Sequence, residues 1–343
     1  MKNSNILLSS PHRISTDAES FYRDYWMPNQ SNSSASQEVE RRRAFVINSM
    51  MDEITVGSRI LELGVGGEGG IIAALPKSST VHGIDVSDSA IAACQALRIP
   101  VSKLNCDSTA LPFDNASFDT VVALEVFEHF SNPQFVIEEI RRVLRPRGVC
   151  VMSTPAPYTY HWPRLFYPDL FISSVFHDFL LANRFQPTRH DDPFYQNSFD
   201  SHPNLSPTEK SFSLYWRAVR IPDNDLNTLH AAALELFNRR DHHGIRIRPI
   251  EALEIFEQCM ALVPPTLELT TDYLCAMLYR VINGDTVVFY NLLHELTNKV
   301  VHEQQKAPYA RALLKIHGEA DALGKSFLDS SVLQLLSALA NIP

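Results

Sequence analysis

The sequence predicts an α/β fold, a doubly wound and mostly parallel sheet, followed by an all-α helical module. Three observations predict it. From Arg59 onward, short apolar runs alternate with helical patterns, the rhythm of a parallel sheet covered on both faces. The first of those runs ends in an acid and then in a cluster of glycines, RILELGVGGEGG from Arg59 to Gly70. Beyond Leu229, strand signals nearly vanish and helical periodicity takes over.

Taken in order, the aromatic segment FYRDYW, Phe21 to Trp26, precedes a polar run, NQSNSSASQ, that lacks apolar side chains and should be mobile. A helix pattern covers Glu38 to Met51. Arg59 to Leu63 forms the first strand, and Ile71 to Leu75 can begin a helix whose free amides point back at the glycine turn. The second strand is Thr80 to Asp85, and Ser87 is placed to cap a helix running to Ala96. A short strand near Ser102 to Asn105 leads to Asp107, and Thr120 to Leu124 is the fourth strand. Gln134 to Leu144 reads as a helix stopped by Pro146 and Gly148, with Val149 to Ser153 as the fifth strand. Phe212 to Ile221 alternates in the manner of a strand, and IPDNDLN marks a boundary.

Three regions follow: residues 1–58, N-terminal helices; 59–222, the sheet; and 223–343, the helical module. In that module helices are expected at Glu251 to Val263, ended by Pro264 and Pro265, at Thr271 to Ile282, after Asp285, at Tyr309 to Ile316 and at Phe327 to Leu339. LYRVINGD resembles the turn of a tetratricopeptide-like helical repeat, although no 34-residue period is present.

Composition narrows the function. A formal charge of −9 over 343 residues argues against a nucleic-acid surface, which needs clustered Lys and Arg. The five cysteines show no C-x-x-C spacing and read as buried free thiols in a reducing compartment. MKNSNILLSS has too short an apolar core for a signal peptide or a membrane span, so a cytoplasmic location and no membrane partner are expected.

The glycine turn alone is ambiguous. Gly64, Gly66 and Gly69 satisfy G-x-G-x-x-G, and Asp85 follows about 20 residues on, as a ribose-binding acid should in a dinucleotide site. What tips the balance is Glu62 two residues before the first glycine, together with HGIDVS, CDSTALPFDNASFDTVVALEVFEHF and EEIRRVLRPRGVCVMSTP in that order. The four segments resemble class I S-adenosylmethionine-dependent methyltransferases, most closely the branch of ubiquinone-pathway and small-molecule enzymes. Glu68 stands where that family usually has glycine, flanked by Gly67 and Gly69.

The resemblance implies a Rossmann-like seven-stranded sheet closed by an antiparallel hairpin strand, with S-adenosylmethionine as cofactor. It implies a cofactor site of Glu62, Gly64, Gly66, Asp85, Val86, Asp107 and Ser108, capped by Tyr22 from the N-terminal region. Asp85 should accept from the ribose hydroxyls, Asp107 with the Ser108 backbone should read the adenine amino group, and Glu62 should orient the ammonium of the methionine tail. Tyr22, Tyr25 and Trp26 either form that lid or pack the first helix onto the sheet. For proton removal His129 is the first candidate, with Glu125 one turn away and His161 as a second base. Tyr158, Tyr160, Trp162 and Tyr167 either stack on the acceptor or form a hydrophobic flap. No metal site is expected: Glu125, Glu128 and His129 supply too few ligands, and His190, Asp191 and Asp192 adjoin in one turn.

The expected reaction is in-line methyl transfer to a small molecule or glycan-type acceptor, with oxygen favoured. The helical module is then left for a homo-oligomer contact or a protein partner. Two other readings stay open. One is a catalytically silent interaction protein working through its helices, and the other is a nicotinamide-dependent oxidoreductase, which leaves Asp107 and FEHF unexplained.

Overall fold

The computed structural model describes residues 33–51, 56–67, 69–155, 167–191, 213–262, 264–280, 286–303, 305–324, 327–328 and 330–341. Tyr22, Tyr25, Trp26, Glu68, Tyr158, Tyr160, His161, Trp162 and Asp192 lie outside them. The chain divides into two compact units, Met1–Pro222 and Asp223–Pro343.

The first unit is built on seven strands: β1 (Arg59–Leu63), β2 (Thr80–Asp85), β3 (Val101–Lys103), β4 (Phe118–Leu124), β5 (Leu144–Pro155), β6 (Phe185–Asp191) and β7 (Ser213–Arg220). They lie in the order β3-β2-β1-β4-β5-β7-β6. β1 pairs in parallel with β2 and β4, β2 with β3, and β4 with β5, while β7 runs antiparallel to both β5 and β6. A dinucleotide domain of the doubly wound kind has the order 3-2-1-4-5-6 with no such insertion. The sheet therefore departs from the oxidoreductase pattern at β7.

Alternation along the strands gives the sheet two apolar faces. Leu61, Leu63, Val121, Ala123, Cys150, Met152 and Trp216 belong to one buried cluster, whereas Ile60, Val122, Val149, Val151 and Tyr215 belong to the other. The first face is covered by α3 (Pro133–Val143) and α4 (Ser173–Ala182), through Val136, Ile137, Ile140 and Val143, and through Phe176, Phe179 and Leu180. On the second face lies α1 (Ser33–Ser49), with Val46 in that cluster and Phe45 edge-on to Tyr215 at 5.2 Å. A further helix of the unit, α2 (Asp88–Ala96), is capped by the Ser87 hydroxyl as expected.

Several boundaries differ from expectation. The polar run is helical from Ser33, joining the helix expected only from Glu38. Ile71 to Leu75 yields a single 3₁₀ turn, Ile72–Ala74, because Pro76 follows at once. Pro146 and Gly148 end no helix, since α3 stops at Val143 and β5 begins at Leu144. The segment is absorbed by a register shift opposite Phe118 and Thr120, with Arg147 at φ +63°. Asp119 ties the base of the sheet together, accepting the Arg59 amide at 2.8 Å and the Arg145 guanidinium at 2.7 Å.

The second unit contains α5 (Leu226–Asn238), α6 (Pro249–Leu262), α7 (Leu267–Arg280), α8 (Thr286–His302), α9 (Ala307–Ala322) and α10 (Ser330–Ala340). Every residue of α7 from Leu269 to Leu278 is buried, and α5, α6, α8 and α9 pack against it. Its Asp272, 2% exposed, accepts from Lys315 of α9 at 2.6 Å and bonds His230 of α5 at 3.0 Å. Among the described residues no helix is long and apolar enough to cross a membrane. All five cysteines are buried free thiols.

Candidate cofactor site

The site lies at the carboxyl ends of β1, β2 and β4. It begins with the turn after Leu63, where Gly64, Gly66, Gly69 and Gly70 have φ of +73°, +65°, +79° and +61°. Side chains are disfavoured in this left-handed region, so the turn runs as bare backbone. Contact adds to this at Gly64 and Gly70. A Cβ on Gly64 would lie 2.9 Å from Val126 Cγ2, and one on Gly70 would lie 2.2 Å from the Glu62 carboxylate.

Glu62 is 2% exposed, and its two oxygens accept the amides of Ile71 and Ile72 at 3.0 Å each. Burial pushes its carboxyl up to about 7, against the lowering pull of those amides and of Arg43. Glu62 therefore braces the far end of the turn. Both oxygens are engaged by backbone rather than standing open toward a ligand.

Asp85 holds the near end. Its Oδ2 accepts the Gly66 amide at 3.0 Å and its Oδ1 the Ser87 amide at 2.8 Å. Each oxygen keeps a further lone pair, the acceptor set that vicinal hydroxyls require. Burial raises its pKa, an effect that the amides of Gly66, Ser87 and Val86 partly offset. Val86 itself is half-buried where the chain leaves β2.

Asp107 departs from the simplest expectation. Its carboxylate accepts the Ser131 amide at 2.9 Å, the Ser131 hydroxyl at 2.6 Å and the Asn132 amide at 2.8 Å. It thus ties the loop after β3 to the start of α3, where Asn132 caps the helix. Ser108 is exposed, and its amide makes a long bond of 3.3 Å to the Asn105 carbonyl. Tyr167, weighed for the acceptor pocket, is instead part of the apolar core and donates its hydroxyl to the Ser131 carbonyl at 3.0 Å.

The end of β4 completes the rim. Glu125 sits at φ +49°, and Ser153 of β5 holds its amide with both Oγ at 2.9 Å and its carbonyl at 3.3 Å. A non-glycine residue there costs about 1–2 kcal/mol, a strain characteristic of functional turns. A 3₁₀ turn over Phe127–His129 follows, placing His129 Nε2 3.8 Å from Glu128 Oε1. Glu128 is fully buried, and its pKa is driven well above the usual carboxylate range by that burial and by the charge of Glu125. Sequence reasoning considered Glu128 only as a metal ligand. Its signal was two acids three residues apart around an aromatic.

Glu62, Gly64, Gly66, Asp85, Glu125 and His129 thus lie on connected turns, with Val126 bridging the β4 loop to Gly64. Bare positive-φ backbone beside an acid at the end of β2 fits an adenosyl amino acid. Sheet order and turn together carry the arrangement that the sequence resemblance to class I S-adenosylmethionine-dependent methyltransferases implies. Comparison with known proteins agrees. Residues 61–152 match the family described as methyltransferase domain. Among curated relatives, 27-O-demethylrifamycin SV methyltransferase of Amycolatopsis mediterranei is 31% identical over 137 residues, 38% of this chain and 49% of that protein. Phthiotriol/phenolphthiotriol dimycocerosates methyltransferase of Mycobacterium leprae is 35% identical over 123 residues, 33% of this chain and 44% of its own length. A ubiquinone biosynthesis O-methyltransferase of Paracidovorax citrulli is 32% identical over 106 residues, 29% and 44% respectively. The chain spans about half the length of the curated relatives it matches.

Proposed function

We propose that the chain is an S-adenosylmethionine-dependent methyltransferase that transfers methyl in line to a small molecule or glycan-type acceptor, with oxygen favoured. The observation that carries this reading is Asp85, held between the Gly66 and Ser87 amides beside a turn of bare backbone. Small-molecule and O-methyltransferases among the relatives support the acceptor class.

S-adenosylmethionine supplies a methyl group already activated on a sulfonium, so alignment and exclusion of water are the protein's main tasks. Asp85 accepts from the ribose hydroxyls. The backbone of Gly64 and Gly66 admits the amino-acid tail, whose ammonium Glu62 orients indirectly, by fixing the turn. Asp107 anchors the loop that presents the Ser108 amide to the adenine edge. His129, whose Nε2 lies 3.8 Å from Glu128 Oε1, takes the proton from an acceptor hydroxyl. The helical unit is assigned to a partner or a second copy of the chain.

Asp85→Ala tests the reading by calorimetric titration with S-adenosylhomocysteine. Losing two charged hydrogen bonds should weaken binding roughly 100-fold. Unchanged affinity would remove the ribose assignment.

A further inference from the structure

Ser131 joins three segments of the chain. Its amide and its hydroxyl donate to Asp107 Oδ2 at 2.9 and 2.6 Å, and its carbonyl accepts the Tyr167 hydroxyl at 3.0 Å. The Asn132 amide donates to Asp107 Oδ1 at 2.8 Å. The helix that follows needs none of these bonds, because the Asn132 side chain already caps α3 and Pro133 has no amide to satisfy. What the three donors fix is the orientation of the Asp107 carboxylate.

That carboxylate stands on the rim of the site. Leu104 donates its amide to the Asp85 carbonyl at 3.0 Å, so the loop carrying Asp107 starts beside the acid assigned to the ribose. Ser131 follows the turn that ends at His129 by two residues. Asn105 closes the loop: its Oδ1 accepts the Asp107 amide at 3.1 Å, and its carbonyl accepts the amides of Ser108 and Thr109 at 3.3 and 3.0 Å. Tyr167 is held from behind by the apolar core, to which Leu170 and Phe171 also belong. Phenylalanine would fill the same space, so the bond to Ser131 is what the hydroxyl adds.

Among the described residues, three of the carboxylate's roughly four acceptor positions are filled and one, on Oδ1, is left. Adenine offers an amino donor next to a ring-nitrogen acceptor, whereas an oxo-purine offers an oxygen acceptor next to a ring N–H. A fixed carboxylate beside the Ser108 amide matches the first pattern and opposes the second. A carboxylate free to swing aside opposes neither. We propose that Ser131 and Tyr167 are positioning residues for base recognition: they hold Asp107 still, and so make the site prefer adenine to an oxo-purine. The inference rests on the methyltransferase reading above, with the adenine edge at Asp107 and Ser108.

The test is calorimetry on the full chain with S-adenosylhomocysteine and with its deaminated analogue, S-inosylhomocysteine, for the wild type, Ser131→Ala and Tyr167→Phe. The wild type should favour the adenine ligand by at least about tenfold. That preference should shrink about fivefold in Ser131→Ala and about threefold in Tyr167→Phe, the order of one net hydrogen bond. A role confined to folding would lower the melting temperature and weaken both ligands alike, leaving their ratio unmoved. A ratio unchanged in either variant, or a wild type that binds the two ligands equally, would overturn the inference and leave the methyltransferase reading standing. A wild type that binds neither ligand would bring down both.

Discussion

The two units bury charge in opposite ways. In the α/β unit the buried acids at the ends of β1 and β2 face backbone amides: Glu62 meets Ile71 and Ile72, and Asp85 meets Gly66 and Ser87. Buried charges in the helical unit face opposite charges instead: Asp272 meets Lys315 and His230, Arg246 meets Glu319, and Glu251 meets Arg248. Paired ions of the second kind fix how helices pack. Acids whose burial raises their pKa cost stability, and a fold retains them where a ligand will repay the expense. The contrast separates a site from a scaffold by physics alone.

Substitutions in each unit can break or sharpen this contrast. The largest effect should come from Gly70→Ala, which puts a methyl 2.2 Å from the Glu62 carboxylate at φ +61°. Denaturant unfolding should show a loss of about 4 kcal/mol in the α/β unit, the level of the severest single substitutions. Gly324→Ala supplies the control: φ is +68° but nothing lies within 4 Å, so about 1 kcal/mol is expected from backbone strain alone. Equal losses at the two positions would show that the Glu62 contact is not confining.

Glu62 also predicts a pH dependence. Its carboxyl rises from 4.5 to about 7 on folding, so between those values the folded chain holds a proton that the unfolded chain has released. The α/β unit should therefore lose stability as pH rises from 4.5 to 7, by roughly 3 kcal/mol from this one group. Glu62→Gln removes that component, whereas Asp85 and Glu128 act alike in both proteins. Thermal scans across this range should give a flatter profile for the variant, and parallel profiles would contradict the assignment.

Asp272→Asn keeps the shape of the paired site but not its charge. Lys315 can turn to water, its side chain being 53% exposed, so a loss of about 2 kcal/mol is expected, confined to the helical unit. A loss of cofactor affinity in that variant would erase the distinction between the two units.

Much of this was legible in the sequence because the signals are local. β1, β2, β4 and β7 follow from apolar runs bounded by turn residues, and Gly64 and Gly66 from the need for positive φ. What escaped depended on distant partners. Pro146 and Gly148 read as a helix stop, yet a register shift against β4 carries them inside β5. The β6 strand contains Pro187, Arg189 and His190 and lies at the sheet edge, where one-sided pairing tolerates such residues. The chemical type of each acid was plain, but its partners were not: Asp107 turns to Ser131 and Asn132, 24 and 25 residues away. Likewise, the full burial of Glu128 between Phe127 and Phe130 shows only in the fold.

The central claim is that the α/β unit binds an adenosyl amino acid between Gly64, Gly66 and Asp85. Calorimetric titration of the full chain with S-adenosylhomocysteine tests it most directly. Saturable binding at one site per chain is the predicted result, and a chain that shows no saturable binding would contradict the account.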